Sequence, residues 1–408
     1  MKHNCLIAQS GGPTSAINAS LAGIYSAADK STAVGKIYGG INGIEGIIKG
    51  KIVDLKPIMG EFGNLALLKT TPSSFLGSCR YKLKGIDEGR EDFKRIFDVF
   101  EEYGIKYFFY IGGNDSMDTI AKLQQYQEEN PHGVILVGVP KTIDNDLMCV
   151  DHTPGFGSAA KYIATTIKEI AYDTAVYDME SIVVAEIMGR NAGWLTLSAG
   201  LAEDCTGEPM ADLIYIPENP FDYDKLIADI KKTQKLKKQI VIAVSEGIRF
   251  ENGKLVSESD AKDVFGHGQL GGAAKVVSGY IKEKLNVKVR AVEINVLQRC
   301  AAHCLSLTDI NESFLIGEKA LQTAVEGVSG VMITSTRKDS DMYSLELSYS
   351  DIKMIANKEK TVPAEYMNRD KNNISAEGVK YLRPLILGEV NIPHKNGIPI
   401  YLSLKKFM

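Results

Sequence analysis

The sequence has no CxxC pair, no lopsided charge and no apolar run of membrane length. Each absence closes off a class of function. Six cysteines are scattered through 408 residues, with only Cys300 and Cys304 close together. That spacing argues against a disulfide scaffold and predicts a cytoplasmic protein with free thiols. The 47 basic and 51 acidic side chains leave a formal net charge of -4, which gives no electrostatic reason to expect nucleic acid or an anionic membrane as a partner. The apolar part of the opening MKHNCLIAQSGG is one strand long, too short for a signal-peptide core. What remains, 44% hydrophobic and 24% charged, is the composition of a soluble globular chain with length for two or three domains.

Short apolar runs rich in β-branched and aromatic residues recur, each emptying into glycine and then polar side chains. The clearest are YFFYIGGNDSMD at 107–118 and VILVGVPKTIDND at 134–146. This is the pattern of buried parallel strands ending in functional loops, on the sheet edge where open α/β folds bind ligands. NCLIAQ at 4–9 predicts a first strand. The turn Ser10-Gly11-Gly12-Pro13 then exposes backbone N–H groups to an anion, and Ser15 is the expected cap of the helix that follows. Gly35 to Gly50 predicts a second strand and a mobile surface connection, and 266–272, GHGQLGG, a flexible junction. Residues 88–103 predict an amphipathic helix with Phe93, Ile96, Phe97 and Phe100 on one face. Further strands expected at 181–190, 213–218, 239–247 and 287–297 extend the alternation. The fold class is therefore α/β, two Rossmann-like αβα domains with a C-terminal extension.

The strand ends gather the chemistry. Asp144 and Asp146 flank Asn145 and, on an extended segment, point to one side. Such a pair holds magnesium, or accepts a proton while its partner organises hydroxyls; an Asx-rich turn explains the same residues without chemistry. Lys141 adds a compact cation just before them. With the turn at 10–13 and Gly112–Gly113, the set suits phosphoryl transfer, which needs cations and N–H groups around the moving phosphate and a carboxylate for the attacking hydroxyl. Taken alone, Arg80 reads as an exposed surface residue. A metal reading of Cys300, His303 and Cys304 lacks a fourth ligand.

Several ordered motifs carry a resemblance: SGGP at 10–13, FLGSCR at 75–80, GGNDS at 112–116, PKTIDND at 140–146, TPGFGSAAK at 153–161, MGRNAGWL at 188–195, SEG at 245–247 and QR at 298–299. Together they span most of the chain, and it resembles the phosphofructokinase family, most closely the pyrophosphate-dependent branch. The resemblance implies that Asp144 takes the proton from the C1 hydroxyl of fructose 6-phosphate, while Thr142 and Asp146 position the sugar and the transferred group. It implies that Met188, Gly189 and Arg190 contact the sugar phosphate, with the arginine steadying transition-state charge. Glu246 would take sugar hydroxyls, Arg299 the 6-phosphate, and Gly12 and Arg80 would lie against the donor. Residues 1–150 and about 307–350 would form the donor domain, 151–306 the sugar-phosphate domain, and 351–408 an appendage packed against both. A magnesium ion, pyrophosphate as co-substrate, and a homodimer or homotetramer are implied as well.

Donor choice turns on two positions. ATP-using members carry glycine where this chain has Asp115 and Lys141. The Asp115 side chain fills and charges the space a nucleotide's inner phosphate would need, while Lys141 neutralises a free pyrophosphate end. The alternatives are an ATP-dependent enzyme of the same fold and a noncatalytic sugar-phosphate-binding subunit. Departures from the family pattern are Asn114 in place of a magnesium-associated aspartate, which leaves the metal to Asn114, Asp115, Asp144 or Asp146, and Ser181 and Thr308 near family arginine positions. His303 is a candidate substitute phosphate ligand.

Overall fold

The computed structural model describes residues 2–262, 268–270, 272–340 and 342–406. Strands β1 (His3–Gln9), β2 (Val34–Gly40), β3 (Ile52–Asp54), β4 (Ile105–Gly112) and β5 (Ile135–Pro140) come first. The middle of the chain supplies β6 (Ser181–Ile187), β7 (Leu213–Tyr215), β8 (Gln239–Ser245), the hairpin strands β9 (Glu258–Lys262) and β10 (Gly268–Leu270), and β11 (Lys288–Glu293). Strands β12 (Val331–Arg337) and β13 (Leu345–Asp351) follow.

The larger sheet runs β13-β12-β5-β4-β1-β2-β3. Its five central strands are parallel, and β3 and β13 are antiparallel edges. Neighbouring residues go to opposite faces, and both faces are buried. Ile7, Phe109, Val137 and Ile333 enter one core, while Leu6, Phe108, Leu136 and Met332 enter the other. Continuous apolar runs such as YFFYI are the signature of that double burial. After β1 the chain moves outward to β2 and then returns to the other side of β1 as β4. The direction of winding reverses between the ends of β1 and β4, the position where such sheets take ligands.

A second sheet, β11-β6-β8-β7, is parallel throughout. Ala185, Ile187, Val241 and Ala243 pack on one side of it, and Ile182, Val184, Ile240 and Ile242 on the other. The helix Leu307–Val325, capped by the Ser306 side chain, carries the chain back to the first sheet, where Val331 pairs with Val137. This helix crosses the helix Ile17–Lys30 closely. A Cβ on Gly23 would sit 2.0 Å from the Phe314 carbonyl oxygen, and one on Gly317 would sit 2.2 Å from that of Ser20.

Three local expectations are corrected. Ser15 does not cap the first helix: the N-cap is Ala16, whose N–H donates to Thr14 Oγ1 at 3.3 Å. The stretch after β2 is a helix, Gly43–Ile48, with Ile44 and Ile47 fully buried, so apolar anchoring overrides its glycine content. The strand expected over 287–297 ends at Glu293 and gives way to a 3-10 turn, Asn295–Arg299. Residues 266, 267 and 271 of the expected junction lie outside the described residues.

The C-terminal segment is shared between the layers. Ile352 and Ile355 join a core of the large sheet, Val362, Met367, Tyr381 and Leu385 join that of the small one, and Leu402 returns to the first.

Candidate active site

The strand ends of both sheets open onto a cavity of about 740 Å³. The large sheet contributes Gly11 and Gly12 after β1, Asn114, Asp115 and Ser116 after β4, and Lys141, Thr142, Asp144 and Asp146 after β5. The small sheet contributes Met188 after β6 and Glu246 after β8, and the turn beyond β11 supplies Arg299. The helix Asn114–Glu129 starts at the cavity wall and turns the positive end of its dipole toward any anion there.

Glycine makes the floor of the cavity flat at this turn. A Cβ on Gly11, whose φ is +75°, would lie 3.3 Å from Lys141 Nζ, and one on Gly12 would lie 3.5 Å from an Arg299 guanidinium nitrogen. Two cations therefore stand over the turn. Lys141 is buried and donates from Nζ to the Gly12 carbonyl at 2.6 Å. Burial, aided by nearby Arg299, lowers its pKa to about 8 against the opposing pull of Asp144 and Asp146.

Asp144 and Asp146 both face the cavity, although the segment between them is not extended. Asn145 adopts φ +54°, and its side chain accepts from Thr153 N at 3.1 Å and meets the Tyr381 hydroxyl at 3.2 Å. The turn is thus an anchored Asx geometry that also presents two carboxylates. The Thr142 hydroxyl accepts the Asp144 N–H at 3.1 Å. Burial raises the Asp144 pKa, with Lys141 opposing. Burial and then the Asp144 charge raise that of Asp146 to about 7. Two carboxylates pressed together in a cleft resist joint ionisation and titrate as a pair, unless a cation joins them. Across the cleft, burial also raises the Glu246 pKa, and its Oε1 accepts from Gly189 N at 3.3 Å.

No group of three or more His, Cys, Asp or Glu side chains able to cage a metal occurs among the described residues. Magnesium does not need one when phosphate oxygens and water complete its shell, and the Asp144–Asp146 pair fits that mode.

Ten of the thirteen residues singled out from sequence line the cavity: Gly12, Asn114, Asp115, Lys141, Thr142, Asp144, Asp146, Met188, Glu246 and Arg299. Arg80, Gly189 and Arg190 are not in its wall. Arg80 and Arg190 are exposed, and the Arg190 carbonyl accepts from Arg249 at 3.1 Å. Ser181 sits at the start of β6, the end remote from the cleft. Thr308 donates to the Leu387 carbonyl at 3.3 Å. His303 is exposed, edge-on to Tyr162 at 5.9 Å. Sequence reasoning missed Asn357 and Glu359, which line the mouth; Glu359 adds to the rise of both Asp144 and Asp146.

Residues 4–323 match the family model for phosphofructokinase. The chain is 40% identical over 404 residues to a pyrophosphate–fructose 6-phosphate 1-phosphotransferase of Methylococcus capsulatus, covering 98% of this chain and 96% of the relative. It is 39% identical over 408 residues to the Halomonas elongata protein of that name, covering 99% and 97%. The crystal structure of a pyrophosphate-dependent phosphofructokinase from Nitrosospira multiformis superposes with a TM-score of 0.89 at 36% identity, covering 99% of this chain and 96% of that one.

Proposed function

The chain belongs to the phosphofructokinase family, and we propose that it moves a phosphoryl group reversibly from pyrophosphate to the C1 hydroxyl of fructose 6-phosphate. The products are fructose 1,6-bisphosphate and phosphate. The observation that carries the reading is the buried Lys141 ammonium held over the Gly12 carbonyl beside Asp144 and Asp146. A compact cation at that depth suits the free end of pyrophosphate, and Asp115 lines the same cavity nearer its mouth.

In this reading the C1 oxygen bonds to the transferred phosphorus as the bridging P–O bond breaks. The hydroxyl proton passes to Asp144, whose raised pKa suits a group that must hold it. Lys141 and the helix N-terminus take the charge on the phosphate oxygens. A magnesium ion, held by Asp144 or Asp146 and the donor, would supply charge neutralisation between phosphate oxygens. The large sheet serves the donor and the small sheet, through Met188, Glu246 and Arg299, the sugar phosphate. Gly189 and Arg190 reach the sugar phosphate from outside the cavity wall, and Arg80 approaches the donor. Among the described residues no helix is long and apolar enough to cross a membrane; a cytoplasmic homodimer or homotetramer completes the proposal.

The test is product formation from fructose 6-phosphate and magnesium with pyrophosphate or ATP at equal concentration. A large pyrophosphate preference is expected. Preference for ATP would overturn the roles of Asp115 and Lys141, and failure with both donors would overturn the activity.

A further inference from the structure

The C-terminal segment does more than pack. Residues 357–360 cross the mouth of the cleft and are tied to both sides of it. The Asn114 side chain uses both ends of its amide on this segment, like a borrowed peptide group: Nδ2 donates to the Lys358 carbonyl at 2.6 Å, and Oδ1 accepts the Asn357 N–H at 2.7 Å. Asn357 Nδ2 donates to Asp118 Oδ1 at 3.0 Å, and the Lys360 N–H donates to the Asp146 carbonyl at 2.7 Å. From the other side, Asn191 Nδ2 donates to Glu359 Oε1 at 3.0 Å and Trp194 Nε1 to the Lys360 carbonyl at 2.9 Å. An aspartate at position 114 has no N–H for the Lys358 carbonyl and would set a charge against it. The amide at this position therefore has a structural reason, and we place Asn114 as a clamp rather than a magnesium ligand.

The clamp has an electrostatic consequence. The residue after Asn114 is Asp115, and the residue after its partner Lys358 is Glu359; both line the cavity and both are exposed at its mouth. Fixing Asn114 to Lys358 fixes these two carboxylates relative to each other. The cavity is thus polarised, with Lys141 and Arg299 over the glycine floor and acid at the rim. Lys82 lies 3.5 Å from Asp115, but both side chains are mostly exposed and such a pair screens little. We propose that Asn114 positions residues 357–360 so that Asp115 and Glu359 form an acidic rim that limits the phosphoryl donor to two phosphates. A third phosphate would carry its charge out of the cationic interior and against both carboxylates. Asp115 is then only half of the donor filter, and Asn114 acts through the segment it holds.

The inference rests on the pyrophosphate reading above, and the test separates the two. The wild-type protein and the variants Glu359→Gln, Glu359→Asp, Asn114→Ala and Asn114→Asp are assayed with fructose 6-phosphate, magnesium and either pyrophosphate or inorganic tripolyphosphate. Glu359→Gln is expected to raise kcat/KM for tripolyphosphate relative to pyrophosphate about tenfold, and Glu359→Asp to keep the wild-type ratio. Asn114→Ala is expected to shift the ratio in the same direction as Glu359→Gln, and Asn114→Asp, which loses the clamp but adds a carboxylate to the cavity wall, to shift it less. A merely structural role would lower both donors together. A ratio unchanged in Glu359→Gln or in Asn114→Ala overturns the rim, whatever the absolute rates. A wild-type protein that does not use pyrophosphate overturns the underlying reading instead.

Discussion

The two halves of the cleft are built to different degrees from strand ends. On the large-sheet side, Gly12, Asp115, Lys141, Thr142, Asp144 and Asp146 all reach one cavity within a few residues of β1, β4 and β5. On the small-sheet side, among the described residues, only Met188, Glu246 and Arg299 do, while Gly189 and Arg190 stand outside the wall and Ser181 lies at the far end of β6. A donor as small as pyrophosphate can be gripped by one sheet edge. A sugar phosphate is longer, and its far end must be met by residues that no single edge supplies.

Mutations can break or sharpen that contrast. The largest effect is expected on the donor side: Asp144→Asn should cut kcat about a thousandfold while fructose 6-phosphate binding, read by calorimetry, stays nearly unchanged. Retained turnover would remove Asp144 as the base.

Next comes the seam between the halves. His152 is buried between Asp151, 2.9 Å from Nδ1, and Glu312, 2.8 Å from Nε2, and Arg337 reaches the same Asp151 at 2.9 Å. Burial alone would lower the His152 pKa, but the two carboxylates outweigh it and hold it at about 9 against an ordinary 6.5. Its stabilising contribution is therefore complete below the ordinary value, shrinks as pH rises and is lost above about 9. His152→Gln should cost on the order of 3 kcal/mol at pH 6 and flatten the alkaline decline in urea midpoint. An unchanged decline would place its source elsewhere.

Lys141→Met should lower kcat/KM for pyrophosphate about a hundredfold. It should also abolish the alkaline limb that Lys141 gives the free enzyme near its pKa of about 8; a limb that survives would belong to another group. The smallest effect falls on the sugar side, where Arg299→Ala should raise KM for fructose 6-phosphate about tenfold with a lesser change in kcat. A loss in kcat as large as that of Lys141→Met would erase the distinction between the halves.

The contrast also governs how much was readable in advance. The runs before Gly112 and Lys141 are apolar because β4 and β5 are buried on both faces, so pattern and motif point to the same edge. Asp144 and Asp146 were legible as a facing pair, although a left-handed Asn145 rather than an extended strand brings them together. The segment 357–360 was not legible. NKEK reads as a solvated charged run, and its position depends on Asn114, Asn191 and Trp194, contacts far away in sequence that no periodicity encodes. The Gly43–Ile48 helix was hidden for the opposite reason, its glycines masking two fully buried isoleucines.

The return of the chain to the first sheet carries a consequence for its making. Strand β5, which delivers Lys141, gains its outer neighbour only when Val331 pairs with Val137. A nascent chain therefore holds β5 as an open parallel edge throughout synthesis of the second sheet, with backbone groups exposed to pairing by other chains. Any truncation before Val331 leaves that edge unsealed, so the strand that brings Lys141 to the cavity is completed only once the chain has been made as far as Met332.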